Sequence, residues 1–115
     1  MKKSSITILT IIGVIILAYF LINNSFSKKD SQTSKEIAKC IGENSLLYVQ
    51  LGCTHCENQK KMFGNNYQYL KVIDCFYKQK ECSDKNIKVT PTWIINNKEY
   101  LGVQNIDKLK ELTKC

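Results

Sequence analysis

Hydropathy divides the chain after residue 22. Ile6 to Ile22 (ITILTIIGVIILAYFLI) is an unbroken apolar run with no charge and no strong helix breaker. Coiled as a helix at 1.5 Å per residue, it spans roughly 25 Å, the lower limit for crossing a bilayer, and Ser4 and Ser5 can extend it. Residues 23–34 (NNSFSKKDSQTS) are polar and predict a linker. Beyond them the apolar positions fall into short periodic groups. Ser34 to Ile41 predicts a short helix, with Ser34 as its cap and Ile37, Ala38 and Ile41 on one face. Leu46 to Leu51 is too short for a helix and predicts a strand buried on both faces. A helical stretch follows Gly52-Cys53-Thr54-His55-Cys56 and should stop at Gly64-Asn65-Asn66, whose residues tolerate left-handed geometry.

The second half continues in the same way. Lys71 to Cys75 predicts a strand, and the lysine-rich Phe76 to Asn86 a short helix or loop. Pro91 opens a third strand, Thr92 to Ile95, one of the few sheet positions a proline tolerates. Asn96-Asn97 predicts a turn into Glu99 to Leu101, hence a hairpin. Asn105 caps a last helix that aligns Ile106, Leu109 and Leu112. The expected fold class is α/β, with a four-stranded mixed sheet and flanking helices behind an N-terminal transmembrane helix. The corresponding segments are 1–5 as a cytoplasmic N-terminus, 6–22 as a signal anchor, 23–34 as a linker and 35–115 as the folded domain.

Composition narrows the function classes. A length of 115 residues holds one compact domain once the apolar segment is set aside. A hydrophobic content of 43% with one proline and five glycines excludes collagen-like and disordered chains. Net charge is +7, carried entirely by lysine; residues 1–34 hold +3 of it and the other 81 residues +4. Without arginine, bidentate recognition of phosphate or guanine has no residue to perform it, so nucleic acid is not an expected partner. The remaining lysines read as a solvated surface.

Six cysteines in so short a chain point to disulfide chemistry outside the cytoplasm, or to metal and thiol chemistry within it. Lys2 and Lys3 before the apolar run suit a signal anchor with a cytoplasmic N-terminus. Lys28, Lys29 and Lys35 on the far side weaken that charge argument, and the cysteines favour an outside domain. A signal peptide cleaved after Ser27 is the alternative, though the apolar run exceeds the usual length for one.

Cys53 and Cys56 lie between a strand and a helix, the setting that separates a redox pair from two unrelated thiols. In the first helical turn Cys53 meets unpaired N–H groups and the positive end of the helix dipole, which favour its thiolate. It is the expected nucleophile. Cys56, three residues on, can attack a mixed disulfide on Cys53 and release the substrate. His55, the only histidine, lies between them, where an imidazolium further stabilises the thiolate and makes the disulfide more oxidising.

With these residues in view, the chain resembles the thioredoxin superfamily. It is most similar there to the thioredoxin-like domain, a DsbA-like thiol oxidoreductase, fused to or partnered with bacterial vitamin K epoxide reductase homologues. The resemblance covers about Ile37 to Cys115. Its marks are Ala38-Lys39-Cys40, Cys53-Thr54-His55-Cys56, Gln59-Lys60-Lys61-Met62-Phe63-Gly64, Cys75 and Cys82, Pro91-Thr92-Trp93, and Tyr100-Leu101-Gly102-Val103-Gln104. It implies a minimal thioredoxin-like fold, with Pro91 cis and lying against the cysteine pair and with the Thr90 backbone pairing with the substrate chain. The implied activity is disulfide exchange with exported cysteine-containing proteins, with no cofactor of its own and reoxidation by a membrane quinone-linked oxidoreductase. Three departures stand out. Thr54 replaces a common proline between the cysteines, where the side chain tunes redox potential and faces substrate. Gly52 replaces an aromatic. Leu47 replaces a buried acid, which leaves water or Glu57 to accept the Cys56 proton.

Of the 15 connectivities open to six cysteines, the fold implied by the resemblance favours Cys53–Cys56, Cys75–Cys82 and Cys40–Cys115, the last two structural; Cys75–Cys82 as a relay pair is the alternative. Two other function classes stay open. A tethered dithiol reductase, for example in cytochrome maturation, would use the same residues at lower potential. A zinc module would use Cys53, Cys56, Cys75 and Cys82, with a last spacing wide for a zinc ribbon. No metal is expected in an oxidised exported protein. Haem attachment fails because Glu57, not histidine, follows Cys56.

Overall fold

The computed structural model describes residues 2–25 and 33–115. Two compact units are present, Met1–Asp30 and Ser31–Cys115. The described part of the first is a helix, α1 (Lys2–Ser25), whose stretch Lys3–Asn23 is long and apolar enough to cross a membrane, with a mean hydropathy of 2.7. Its threonine hydroxyls are satisfied within the helix. Thr7 donates to the carbonyls of Lys3 and Ser4, and Thr10 to that of Thr7, which spares an apolar environment an unpaired donor. The expected linker over 23–34 falls largely at 26–32, outside the described residues.

The second unit begins with α2 (Lys35–Glu43), capped by the Ser34 hydroxyl, which accepts from the backbone N–H of Ile37. It runs two residues past the expected Ile41 end. There follow β1 (Leu46–Val49), α3 (Thr54–Phe63), a 3-10 helix (Gly64–Tyr69), β2 (Val72–Asp74), α4 (Gln79–Asp84), β3 (Thr92–Ile95), β4 (Lys98–Leu101) and α5 (Ile106–Thr113). The sheet order is β2-β1-β3-β4, with β1 and β2 parallel and the other two pairings antiparallel. This is the four-stranded mixed sheet that the hydropathy pattern predicts.

Alternation along the strands sorts side chains to two faces. Leu47 and Val49 of β1 and Trp93 and Ile95 of β3 join Ala38 and Ile41 of α2, Cys56 and Phe63 of α3 and Leu109 of α5 in the main core. Tyr48 points the other way and packs with Cys75 and Cys82 under Ile73, Ile87 and Ile94. The short α4 and its disulfide thus cover the second face. At Gly64 the α-helix stops, with φ +52°, but the chain continues as a 3-10 helix rather than a loop. That helix packs on α2 so closely that a Cβ at Gly42 would strike the carbonyl oxygen of Tyr69.

Strand directions fix which ends meet. β1 and β2 run toward Leu51 and Phe76, β3 starts at that same end after Pro91, and β4 returns there at Leu101. Asn96 and Asn97, with φ of +51° and +61°, form the tight turn at the opposite end.

Candidate active site

Cys53 is the N-cap of α3, and the cap geometry sets its sulfur among the unpaired donors of the helix start. Its backbone is extended while its Sγ accepts from the N–H of Cys56 at 3.2 Å, so a sulfur takes one of the orphan donors of the helix start. A thiolate at that point is stabilised by the same donor and by the dipole. Cys53 is bonded to Cys56, and their Cα atoms are 5.2 Å apart. Cys56 is 5% exposed and belongs to the core, whereas Cys53 is half-buried at its edge. Cys53 is therefore the more accessible of the two sulfurs.

The opposite wall is the loop before β3. The Thr90–Pro91 peptide is cis. The Thr90 hydroxyl donates to Cys53 Sγ at 3.5 Å, and the Thr90 carbonyl oxygen lies 3.5 Å from the same sulfur. Gly102, with φ +80°, closes this wall by donating its N–H to the Pro91 carbonyl at 2.8 Å. Thr54 and His55 are exposed on the first turn of α3, His55 immediately before Cys56. Glu57 is exposed on the next position, and Leu47, where the resemblance implies an acid, is fully buried.

The remaining cysteines lie away from this pair. Cys75 and Cys82 are bonded to each other on the second face, and Cys40 on α2 is bonded to Cys115 beyond α5. All four sulfurs of the alternative zinc set are thus engaged in disulfides, a form that supplies no thiolate ligand.

Three features were not read from the sequence. Asp74 ends β2, and its carboxylate accepts from the N–H groups of Leu51 at 3.2 Å and Phe76 at 2.9 Å, tying the loop before Cys53 to the loop after β2. Phe76 and Tyr77 stack edge-on with ring centroids 5.0 Å apart, in a stretch that looks merely polar by composition. The exposed large apolar side chains among the described residues of the folded unit are Leu51, Phe76, Tyr77, Val89 and Leu101, each 47% to 72% exposed. All five sit at the Cys53 end of the sheet. An exposed apolar surface thus surrounds the Cys53 sulfur.

Burial raises the Tyr67 hydroxyl to about 12, and the negative charges of Glu57 and Asp74 push it the same way. Tyr67 packs against the core between α3 and β2, so these carboxylates share the flank of the site.

A βαβ unit, a hairpin and a final helix, with a dithiol capping the first helix of the sheet and a cis-proline facing it, define a thioredoxin-like domain bearing a Cys-x-x-Cys site. Among characterised proteins, the chain is similar to the Thiol-disulfide oxidoreductase LTO1 of Arabidopsis thaliana, with 34% identity over 111 residues covering 88% of this chain. It spans 29% of that protein's length. No family model matches the sequence. Solved structures with similarity include a thioredoxin-like protein studied as a point mutant, at 25% identity and a TM-score of 0.44, covering 59% of this chain and 96% of that one. Oxidised thioredoxin from Plasmodium falciparum is another, at 19% identity and a TM-score of 0.45, covering 71% of this chain and 90% of its own.

Proposed function

We propose that this chain is a membrane-anchored, extracytoplasmic thiol-disulfide oxidoreductase that passes its Cys53–Cys56 disulfide to exported polypeptides. A membrane quinone-linked oxidoreductase of the vitamin K epoxide reductase type would then reoxidise it. The observation that carries the reading is the half-buried Cys53 sulfur at a helix start, facing Thr90 and bonded to a buried Cys56.

In the forward direction a substrate thiolate attacks Cys53 Sγ. The Cys53–Cys56 bond breaks, and its electron pair leaves on Cys56, which takes a proton from solvent or from Glu57. A second substrate thiolate then attacks its own sulfur in the mixed disulfide, and Cys53 departs as a thiolate held by the Cys56 N–H. The substrate has lost two electrons and two protons; the dithiol holds the electrons, and an acceptor must remove them before the next cycle. Extended substrate backbone beside the cis-proline would pair with Thr90, while Thr54 would contact its side chains.

The long apolar helix supports the anchor, and six cysteines all paired as disulfides support an oxidising compartment. The similar oxidoreductase from Arabidopsis supports the reaction class. The full chain, oxidised and in detergent, should convert a reduced unfolded protein to its disulfide form mole for mole as Cys53 and Cys56 become alkylatable, and Cys53→Ser should abolish transfer. No transfer, with rapid reduction of a substrate disulfide by the reduced chain, would reverse the direction to that of a reductase.

A further inference from the structure

Gln59 has no part in the exchange just described, yet it is the most heavily engaged side chain near the site. It is fully buried among apolar residues on α3, three residues beyond Cys56 and so on the same side of the helix. Its Oε1 accepts from Trp93 Nε1 at 3.0 Å and from the backbone N–H of Gln104 at 2.8 Å. Its Nε2 donates to the Gln104 carbonyl at 3.0 Å and lies 3.5 Å from Met62 Sδ.

The partners lead back to the wall that faces Cys53. Trp93 is two residues past Pro91 on the same strand. Gln104 is two residues past Gly102, whose N–H is bonded to the Pro91 carbonyl. One amide therefore joins three segments: the helix that carries the dithiol, the strand that follows the cis-proline through the Trp93 indole, and the turn that closes the wall through the Gln104 backbone. A methionine would fill the same space without desolvating an amide. What the amide adds is direction, since hydrogen bonds hold distances and angles that apolar packing leaves loose.

We propose that Gln59 is a positioning residue that sets the gap between Cys53 and the Thr90–Pro91 wall, and so aligns polypeptide substrates for exchange at Cys53. The inference rests on the oxidoreductase reading above. A small dithiol needs only the sulfur and no wall; an extended chain bonded to the Thr90 backbone needs both in register. Displacement of a reacting group by about 1 Å can cost up to about a hundredfold in rate.

The test uses the full chain in detergent, as wild type, Gln59→Met, Trp93→Phe and the double variant, with thermal melts to confirm that each is folded at the assay temperature. Oxidised protein is mixed either with dithiothreitol or with a reduced extended peptide containing one cysteine pair. Gln59→Met should lower kcat/KM for the peptide about tenfold while leaving the dithiothreitol rate within about twofold. Trp93→Phe, which removes one of the bonds, should give a smaller loss of the same selectivity, and the double variant should be no worse than Gln59→Met. If Gln59→Met does not fold, Trp93→Phe carries the same comparison. Equal losses with both substrates, or no loss with either, would overturn the positioning role. A wild-type chain that exchanges with neither substrate would instead defeat the oxidoreductase reading.

Discussion

Removing the Cys40–Cys115 disulfide, as Cys40→Ala with Cys115→Ala, should take away a large part of the domain's stability while leaving the dithiol intact. The bridge joins residues 75 apart in sequence, from the middle of α2 to the chain end just past α5. On the chain-entropy model, opening a loop of that length costs about 4.5 kcal/mol at 25 °C. At 0.05 to 0.15 kcal/mol per residue, a domain of this size is stable by only about 4 to 12 kcal/mol, so the loss is comparable to the lower end of that range. Each kilocalorie lowers Tm by about 4 to 8 °C in a small domain, which predicts a fall of roughly 18 to 36 °C. The Cys75–Cys82 bridge spans 7 residues, for which the same expression gives about 2.4 kcal/mol. Thermal unfolding by circular dichroism, for the two alanine pairs against wild type, checks both values. The order is the sensitive point, because Cys75 and Cys82 are core residues whose truncation adds a packing cost to the smaller entropic term. A Cys40/Cys115 pair that melts within a few degrees of wild type would refute the loop-entropy account. It would leave α5 held by Leu109 and its neighbours alone.

Three further outcomes are expected. Alkylation of the reduced chain should label Cys53 well before the buried Cys56, and equal labelling would remove the roles assigned to them. The reduction potential in glutathione buffers should fall at about −120 to −180 mV, and His55→Ala should lower it by some tens of millivolts, at about 30 mV per 1.4 kcal/mol; a value near thioredoxin's roughly −270 mV, unmoved by the substitution, would turn the reading to a reductase. Tyr67 is held neutral by burial and by Glu57 and Asp74, up to about pH 12. Its contribution is therefore complete below the unfolded value near 10 and is lost as pH rises from there to 12. Chemical denaturation of the oxidised protein should show wild type losing stability relative to Tyr67→Phe across that window, and parallel curves would contradict the assignment.

The order of elements was legible because its signals are local. Ser34 and Asn105 cap their helices through hydroxyl and amide oxygens, and Asn96-Asn97 makes the turn between β3 and β4. The dithiol too was legible, since strand, Gly-Cys-x-x-Cys and helix follow one another along the chain. The 3-10 helix after Gly64 was not. Its place depends on Gly42 allowing the Tyr69 backbone to approach α2, a contact between residues 27 apart. Gln59 offered a signal that a polar residue type conceals. Cys56, Gln59 and Phe63 form the buried stripe of α3, so the amide stands at a core position by periodicity. Its partners Trp93 and Gln104 come from segments that only the folded sheet brings near. The apolar surface around Cys53 was hidden for the same reason, because its members come from four strand ends that have no common sequence neighbourhood.

Thr33, where the described chain enters the folded unit, donates from both its N–H and its hydroxyl to the Met62 carbonyl, and Asn66 donates to its carbonyl in return. Met62 lies at the far end of α3 from Cys53, roughly 14 Å along the axis at 1.5 Å per residue. The point where the described chain joins the folded unit and the Cys53 sulfur thus occupy opposite ends of one helix. Loosening Thr33 or Asn66 would therefore act on the C-terminal turn of α3, at the end of the helix away from Cys53.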